Sequence, residues 1–265
     1  MVVAIIQARV GSSRLPNKVM LEISEKPVLW HVVNRTSNSR KIDKIVVATS
    51  EDTGNDLIRE YCAENGIECT SGSENDVLDR YYKALKNINI EDDDLVVRIT
   101  ADCPLIDPVV IDEVIERHID TNSDYTSNCI EPTFPDGLDC EVFKASVLKQ
   151  AWKGAKLKSE REHVTLYIRN HPEIFRIESY KGDKDLSNLR WTLDEEEDFQ
   201  LIKEVYEELY NENKMFSTKN ILSLLENKPS LISINSRYIR NEGLIKSLNE
   251  DGLIGQTEEE MNTNE

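Results

Sequence analysis

The sequence predicts an α/β fold built on a mainly parallel sheet covered by helices on both faces. Three observations predict it: β-branched runs of strand length at residues 2–6, 44–49 and 95–100, helical stretches between them, and glycine or proline punctuation at the joins. The segment after the first run carries a helix opened by Pro27, at a position where a missing N–H is tolerated. Residues 55–65 read as a helix stopped by Gly66, 67–70 as a strand, 77–86 as a helix and 108–121 as a further helix. After Tyr125 the rhythm changes. Pro132, Pro135 and the Asp136-Gly137 pair mark a loop before a short strand at 139–143, so this part reads as inserted or reversed. Ser159 and Glu162 have capping-box spacing and open a helix to about Arg169. A short strand at 190–193 ends at Asp194. The stripe Phe199, Ile202, Val205, Tyr206 and Leu209 behind it has helical spacing and reads as core. Trp152 and Trp191 read as packing residues. The organisation expected is a main domain at 1–225 with an insertion at about 130–185, an extension at 226–255, and a disordered tail at 256–265 that is rich in Glu, Asn and Thr.

Composition narrows the function. The formal net charge of −18 repels nucleic-acid backbones and anionic lipid, so neither a polynucleotide nor a membrane is expected as partner. No run approaches the roughly 18 apolar residues of a membrane span. The apolar start lacks a basic n-region and is too short for a signal sequence, which places the expected location in the cytoplasm. Five cysteines, odd in number and without a CxxC pair, suggest neither a disulfide framework nor a zinc ribbon. Within this acidic chain, residues 1–50 hold eight Lys or Arg against three Asp or Glu. A solvated basic face is the plain explanation of such a cluster. Its position argues for more.

In an open parallel sheet, ligands bind beyond the carboxyl ends of the strands. The loop after the first strand holds Gln7, Ala8, Arg9, Gly11, Ser12, Ser13, Arg14 and Lys18. Small residues allow close backbone approach, N–H groups and hydroxyls bind oxygens, and the three cations offset charge: the parts of a triphosphate cradle. The order of Gly, Lys and Ser/Thr differs from a Walker A loop. Asp102 follows the strand at 95–100, and Asp194 ends another. Two carboxylates facing a phosphate loop suit a Mg2+–nucleotide complex, because magnesium takes one or two carboxylates plus phosphate and water oxygens.

Residues 5–18 resemble the N-terminal signature of the cytidylyltransferases that make CMP-activated sugar acids, such as CMP-KDO and CMP-sialate synthetases. The stretches at 76–82, 98–105, 134–139, 161–165 and 189–194 are similar to the subgroup of SpsF-type spore coat polysaccharide biosynthesis proteins. The resemblance covers roughly residues 1–225. It implies a Rossmann-like three-layer nucleotidyltransferase fold with a small inserted dimerisation region, CTP and Mg2+ as ligands, and a homodimer. By position, Arg9, Ser13, Arg14 and Lys18 are implied to contact phosphates, Arg80, Arg98 and Thr100 to line the nucleotide pocket, and Asp102 and Asp194 to hold the metal, with Arg14, Lys18 and Asp102 catalytic. The acceptor side is assigned to Asp136, Asp139, Glu141, Arg161, Glu162 and His163; for His163 a structural role weighs as heavily. The sequence departs from the CMP-KDO enzymes at 100–104, where Thr-Ala-Asp-Cys-Pro replaces a Gly-Asp-Glu-Pro type element. GTP and UTP stay open as alternatives to CTP, and the acceptor is a sugar acid, a sugar or polyol phosphate, or a phosphonate. A glycosyltransferase of related fold lacks support, since its usual Asp-x-Asp is missing at Asp102. A non-catalytic nucleotide-binding regulator is the other alternative.

Overall fold

The computed structural model describes residues 1–211 and 214–262. The strands are β1 (Val2–Gln7), a separate ribbon of β2 (Glu22–Ile23) and β3 (Lys26–Pro27), then β4 (Lys44–Ser50), β5 (Cys69–Gly72), β6 (Leu95–Thr100), β7 (Tyr125–Ser127), β8 (Glu141–Lys144) and β9 (Ile177–Ser179). Seven of them form one sheet in the order β5-β4-β1-β6-β8-β7-β9. The β5-β4-β1-β6 half is parallel, and β8 then runs antiparallel to both β6 and β7. The expected reversal after Tyr125 is this change of direction. Within the region expected as an insertion at 130–185, β8 and β9 extend the main sheet.

Strand β1 shows why the sheet is covered twice. Val3 and Ile5 pack into one apolar cluster, while Ala4 and Ile6, on the opposite face, belong to another. On the first face lie α3 (Val77–Asn87), α5 (Ala145–Gly154) and α7 (Leu166–Asn170). On the second lie α1 (Val28–Ser37), α2 (Asp56–Glu64), α4 (Pro108–Thr121), α8 (Glu196–Leu209) and α9 (Thr218–Asn227). Pro27 caps α1, and Gly66, with φ of 67°, ends the α2 turn as expected. Trp191 is buried and Trp152 stacks on Tyr82 with ring centroids 4.0 Å apart, so both pack. No helix among the described residues is long and apolar enough to cross a membrane.

Three expectations are corrected. Residues 190–193 form no strand; Arg190 makes only an isolated bridge to Asp136. The helix expected from Ser159 to Arg169 is two short helices, α6 (Lys158–Glu162) and α7, separated where Val164 takes a φ of 48°. Its N-terminal carboxylate is Glu160, which accepts from the N–H groups of Lys156 and Leu157 at 3.0 and 3.2 Å, whereas Ser159 is buried within the turn. The tail is not wholly irregular: α10 (Glu242–Asn262) includes 256–262, and 263–265 lie outside the described residues.

Gly137 is the tightest backbone approach near the sheet's end. Its φ is 110°, and a Cβ there would meet Thr192 N and the Trp191 carbonyl carbon at 2.5 Å. Gly66 also has positive φ but faces open space. Gly137→Ala is therefore expected to lower unfolding free energy by at least about 2 kcal/mol, and Gly66→Ala by about 1 kcal/mol. Urea unfolding of both variants checks the difference; equal losses would show that the approach to Trp191 is not close-packed.

Candidate active site

The loops that leave β1 and β6 meet in one cleft. The loop at 8–17 folds on itself: Ser12 and Asn17 N–H both donate to Val10 O at 2.8 and 3.2 Å, and Asn55 Oδ1 accepts from Val10 N–H at 2.9 Å. Asn17, at φ of 57°, turns the chain into the short helical turn Lys18–Met20. Lys18 Nζ then donates to Asp102 Oδ2 at 2.6 Å and to Asp194 Oδ1 at 2.7 Å. Burial penalises both charges, yet the neighbouring ammonium holds the Asp102 carboxyl down at about 2, and the two carboxylates keep Lys18 above the usual lysine range.

Asp194 reaches this point because the segment before it is strapped across the end of β6. Leu193 N–H donates to Asp102 O at 2.8 Å, and Asp136 N–H donates to Leu189 O at 2.9 Å. Asp198, fully buried in the first turn of α8, accepts from the N–H groups of Asp194 and Glu195 at 2.9 and 3.0 Å, from Arg190 Nε and Nη2 at 2.9 Å, and from Asn235 Nδ2 at 2.8 Å. A carboxylate in the first helical turn complements the unsatisfied N–H groups there. Arg190 is thereby fixed, and its Nη2 also reaches Asp194 Oδ2 at 3.2 Å.

Three adjoining cavities follow. The phosphate-side cavity, so called from the expectation for residues 9–18, is about 420 Å³ and is lined by Arg9, Gly11, Ser12, Ser13, Arg14 and Lys18 together with Asp102 and Asp194. Arg14 lies 3.2 Å from Asp194 and 2.9 Å from Glu195, and Arg9 lies 3.4 Å from Glu74. The second cavity, about 290 Å³, shares Arg14, Thr100, Asp102 and Asp194 with the first and adds Asp136, Asp139 and Glu141. Burial and the neighbouring Asp139 push Asp136 up to about 7, against Arg240 and Arg190. Asp139 is also raised by burial, although Arg240 pairs with it. Glu141 is held below its usual range despite burial, by Arg98 and Arg169. The third cavity, about 380 Å³, lies between Glu74, Glu162 and His163, and burial lowers the His163 imidazole.

Most of the residues expected from sequence meet here, including Gln7 and Thr100. Three do not present their side chains to it. Ala8 is buried, its N–H bonded to Ala48 O at 3.1 Å. Arg80 is fully buried and donates to Ser73 O and Glu74 O at 2.7 and 3.0 Å, so it shapes the loop that carries Glu74 rather than lining the nucleotide pocket. Arg161 pairs with Asp76 at 2.5 Å and donates to Trp152 O at 2.8 Å, outside all three cavities. Sequence reading missed Arg190, Asp198 and Arg240. Arg190 sits in the 189–194 stretch beside Asp194, and Asp198 could have been found as an acid in the first helical turn. Arg240 carries no comparable local signal. Among the described residues no cluster of three His, Cys, Asp or Glu forms a metal cage. The Asp102–Asp194 pair instead offers two oxygen donors already converging on one cation, a donor set that fits Mg2+ completed by phosphate and water oxygens.

A family model described as cytidylyltransferase matches residues 3–228. The chain is 38% identical over 239 residues to the uncharacterized protein MJ1063 of Methanocaldococcus jannaschii, covering 89% of this chain and 94% of that one. It is 34% identical over 232 residues to the spore coat polysaccharide biosynthesis protein SpsF of Bacillus subtilis, covering 85% and 94%. A solved cytidylyltransferase structure from Leptospira borgpetersenii serovar Hardjo-bovis superposes with a TM-score of 0.81 at 33% identity, covering 87% of this chain and 96% of that one.

The acid pair gives a pH test. Asp136 keeps a proton up to about 7 in the fold and releases it at the ordinary 3.8 when unfolded. Between these values the native state binds more protons, so this group's contribution to stability falls as pH rises through the window. Asp136→Asn is expected to flatten the decline in melting temperature between about pH 4 and about pH 8. An unchanged slope would assign the decline to other groups.

Proposed function

The chain belongs to the cytidylyltransferase family, and on that premise we propose that it transfers CMP from CTP to an anionic, sugar-like acceptor with release of pyrophosphate, in surface polysaccharide or glycoconjugate synthesis. The observation that carries this reading is the Lys18 ammonium held between Asp102 and Asp194, at the seam of a basic cavity and an acidic one. An acceptor oxygen attacks the α-phosphorus, and the bond to the oxygen bridging the α- and β-phosphorus atoms breaks. Charge builds on the departing phosphates, where Arg9, Arg14 and Lys18 offset it from fixed positions. Asp102 and Asp194 are the residues that would hold Mg2+, whose chemistry when bound is to neutralise phosphate charge. Across the seam, Asp136, Asp139 and Glu141 accept hydrogen bonds from hydroxyls, while Arg98 and Arg190 supply cations for an acidic group. That mixture favours a hydroxyl-rich acid over a purely apolar acceptor. Homodimer assembly belongs to the same proposal.

Thermal stabilisation by each of the four NTPs, with Mg2+ and with EDTA, tests the nucleotide half. A Mg2+-dependent shift for CTP alone is expected, followed by pyrophosphate release with sugar-acid acceptors that drops about 100-fold or more in Asp102→Asn. No shift with any NTP would remove the nucleotide reading, and a shift with GTP or UTP in place of CTP would change the base.

A further inference from the structure

The family match ends at residue 228, but the cleft is walled by residues beyond it. α10 crosses its mouth: Glu242 and Gly243 line both the acidic and the phosphate-side cavities, and Lys246 lines the phosphate-side cavity and its neighbour. Ser247 anchors the helix from its buried face, donating to Glu162 Oε2 at 2.9 Å and sitting 3.0 Å from His163 Nε2. Further along, Lys158 pairs with Glu250 at 2.6 Å, and Ser159 N–H donates to Asp251 Oδ1 at 3.3 Å. These contacts come from α6, so α10 is held over the cleft rather than extended from it.

Glu242 and Lys246 are four residues apart and share one side of the helix. Both reach the phosphate-side cavity, with opposite charge. Glu242 Oε2 lies 2.8 Å from Arg14 Nη1. Lys246 forms no ion pair or hydrogen bond among the described residues, whereas Arg9, Arg14 and Lys18 each have a carboxylate partner. A triphosphate entering this cavity would place its negative oxygens beside the Glu242 carboxylate, which competes with them for Arg14. The same oxygens would find in Lys246 a cation with no direct carboxylate contact to break, only the electrostatic pull of Glu250 one turn on.

We propose that Lys246 is a further phosphate-binding residue of the nucleotide site and that Glu242 is the carboxylate a triphosphate displaces from Arg14. This rests on the nucleotide reading above. It predicts substitutions of opposite sign on one helix, which simple loss of the helix cannot produce. Arg14 and Lys246 would act on the phosphates beyond the α position, so CMP, which lacks them, serves as the internal control.

The test is calorimetric binding of CTP and of CMP, with Mg2+, to the unmodified 265-residue chain and to Lys246→Ala, Lys246→Arg and Glu242→Gln. Lys246→Ala is expected to weaken CTP roughly tenfold or more while CMP changes less than about twofold, Lys246→Arg to restore CTP binding, and Glu242→Gln to tighten CTP severalfold. Unchanged CTP binding in Lys246→Ala, equal weakening of CTP and CMP, or weaker CTP binding in Glu242→Gln would each overturn the proposal. Failure of the unmodified protein to bind any NTP would overturn the nucleotide reading, and this inference with it.

Discussion

The cleft depends on one buried ammonium shared by two carboxylates. Lys18 comes from the loop after β1, Asp102 from the end of β6, and Asp194 from the segment entering α8, so the contact ties together parts of the chain far apart in sequence. Removing the ammonium would leave two carboxylates facing each other in a partly buried site, a far worse state than a broken surface pair. This explains why Asp102 stays ionised although desolvation opposes its charge. The two carboxylates are thereby gathered on one side of the cleft, each still partly exposed.

The surroundings hold that contact in place. Asp198 fixes Arg190 and the backbone at Asp194 and Glu195, while the Gly137 turn lets the 136–137 backbone lie against Trp191 and Thr192. Asp136 therefore stands within 3.1 Å of Arg190, and the acidic cavity opens beside the basic one. The two cavities share Arg14, Asp102 and Asp194 as a common wall, which is the juxtaposition the proposed transfer requires.

The parallel half of the sheet was legible because β-branched runs buried on both faces leave little choice of structure; β1, β4 and β6 fall where residues 2–6, 44–49 and 95–100 place them. That the loop after β1 lines a cavity was legible for a different reason, since its small residues and cations are contiguous. Side-chain direction was not. Arg80 and Arg161 sit in recognisable stretches yet turn inward to Ser73 and Asp76, which only the packing of α3 and α6 decides. Residues 190–193 read as a strand but are held by a few backbone bonds to Asp102 and Asp136 together with the Asp198 side chain, in place of a continuous ladder. The reach of α10 over the cleft depends on contacts from Ser247, Glu250 and Asp251 to α6, separated by more than eighty residues, and no local pattern announces them.

The most direct measurement is water-proton relaxation enhancement with Mn2+ standing in for Mg2+, recorded with the protein alone and with CTP added. Because Lys18 occupies both carboxylates in the free site, the account predicts weak Mn2+ binding without nucleotide and a strongly enhanced ternary complex with CTP, lost in Asp102→Asn. Equal enhancement in Asp102→Asn and the unmodified protein would contradict it, since the metal and nucleotide would then meet away from the Lys18 contact.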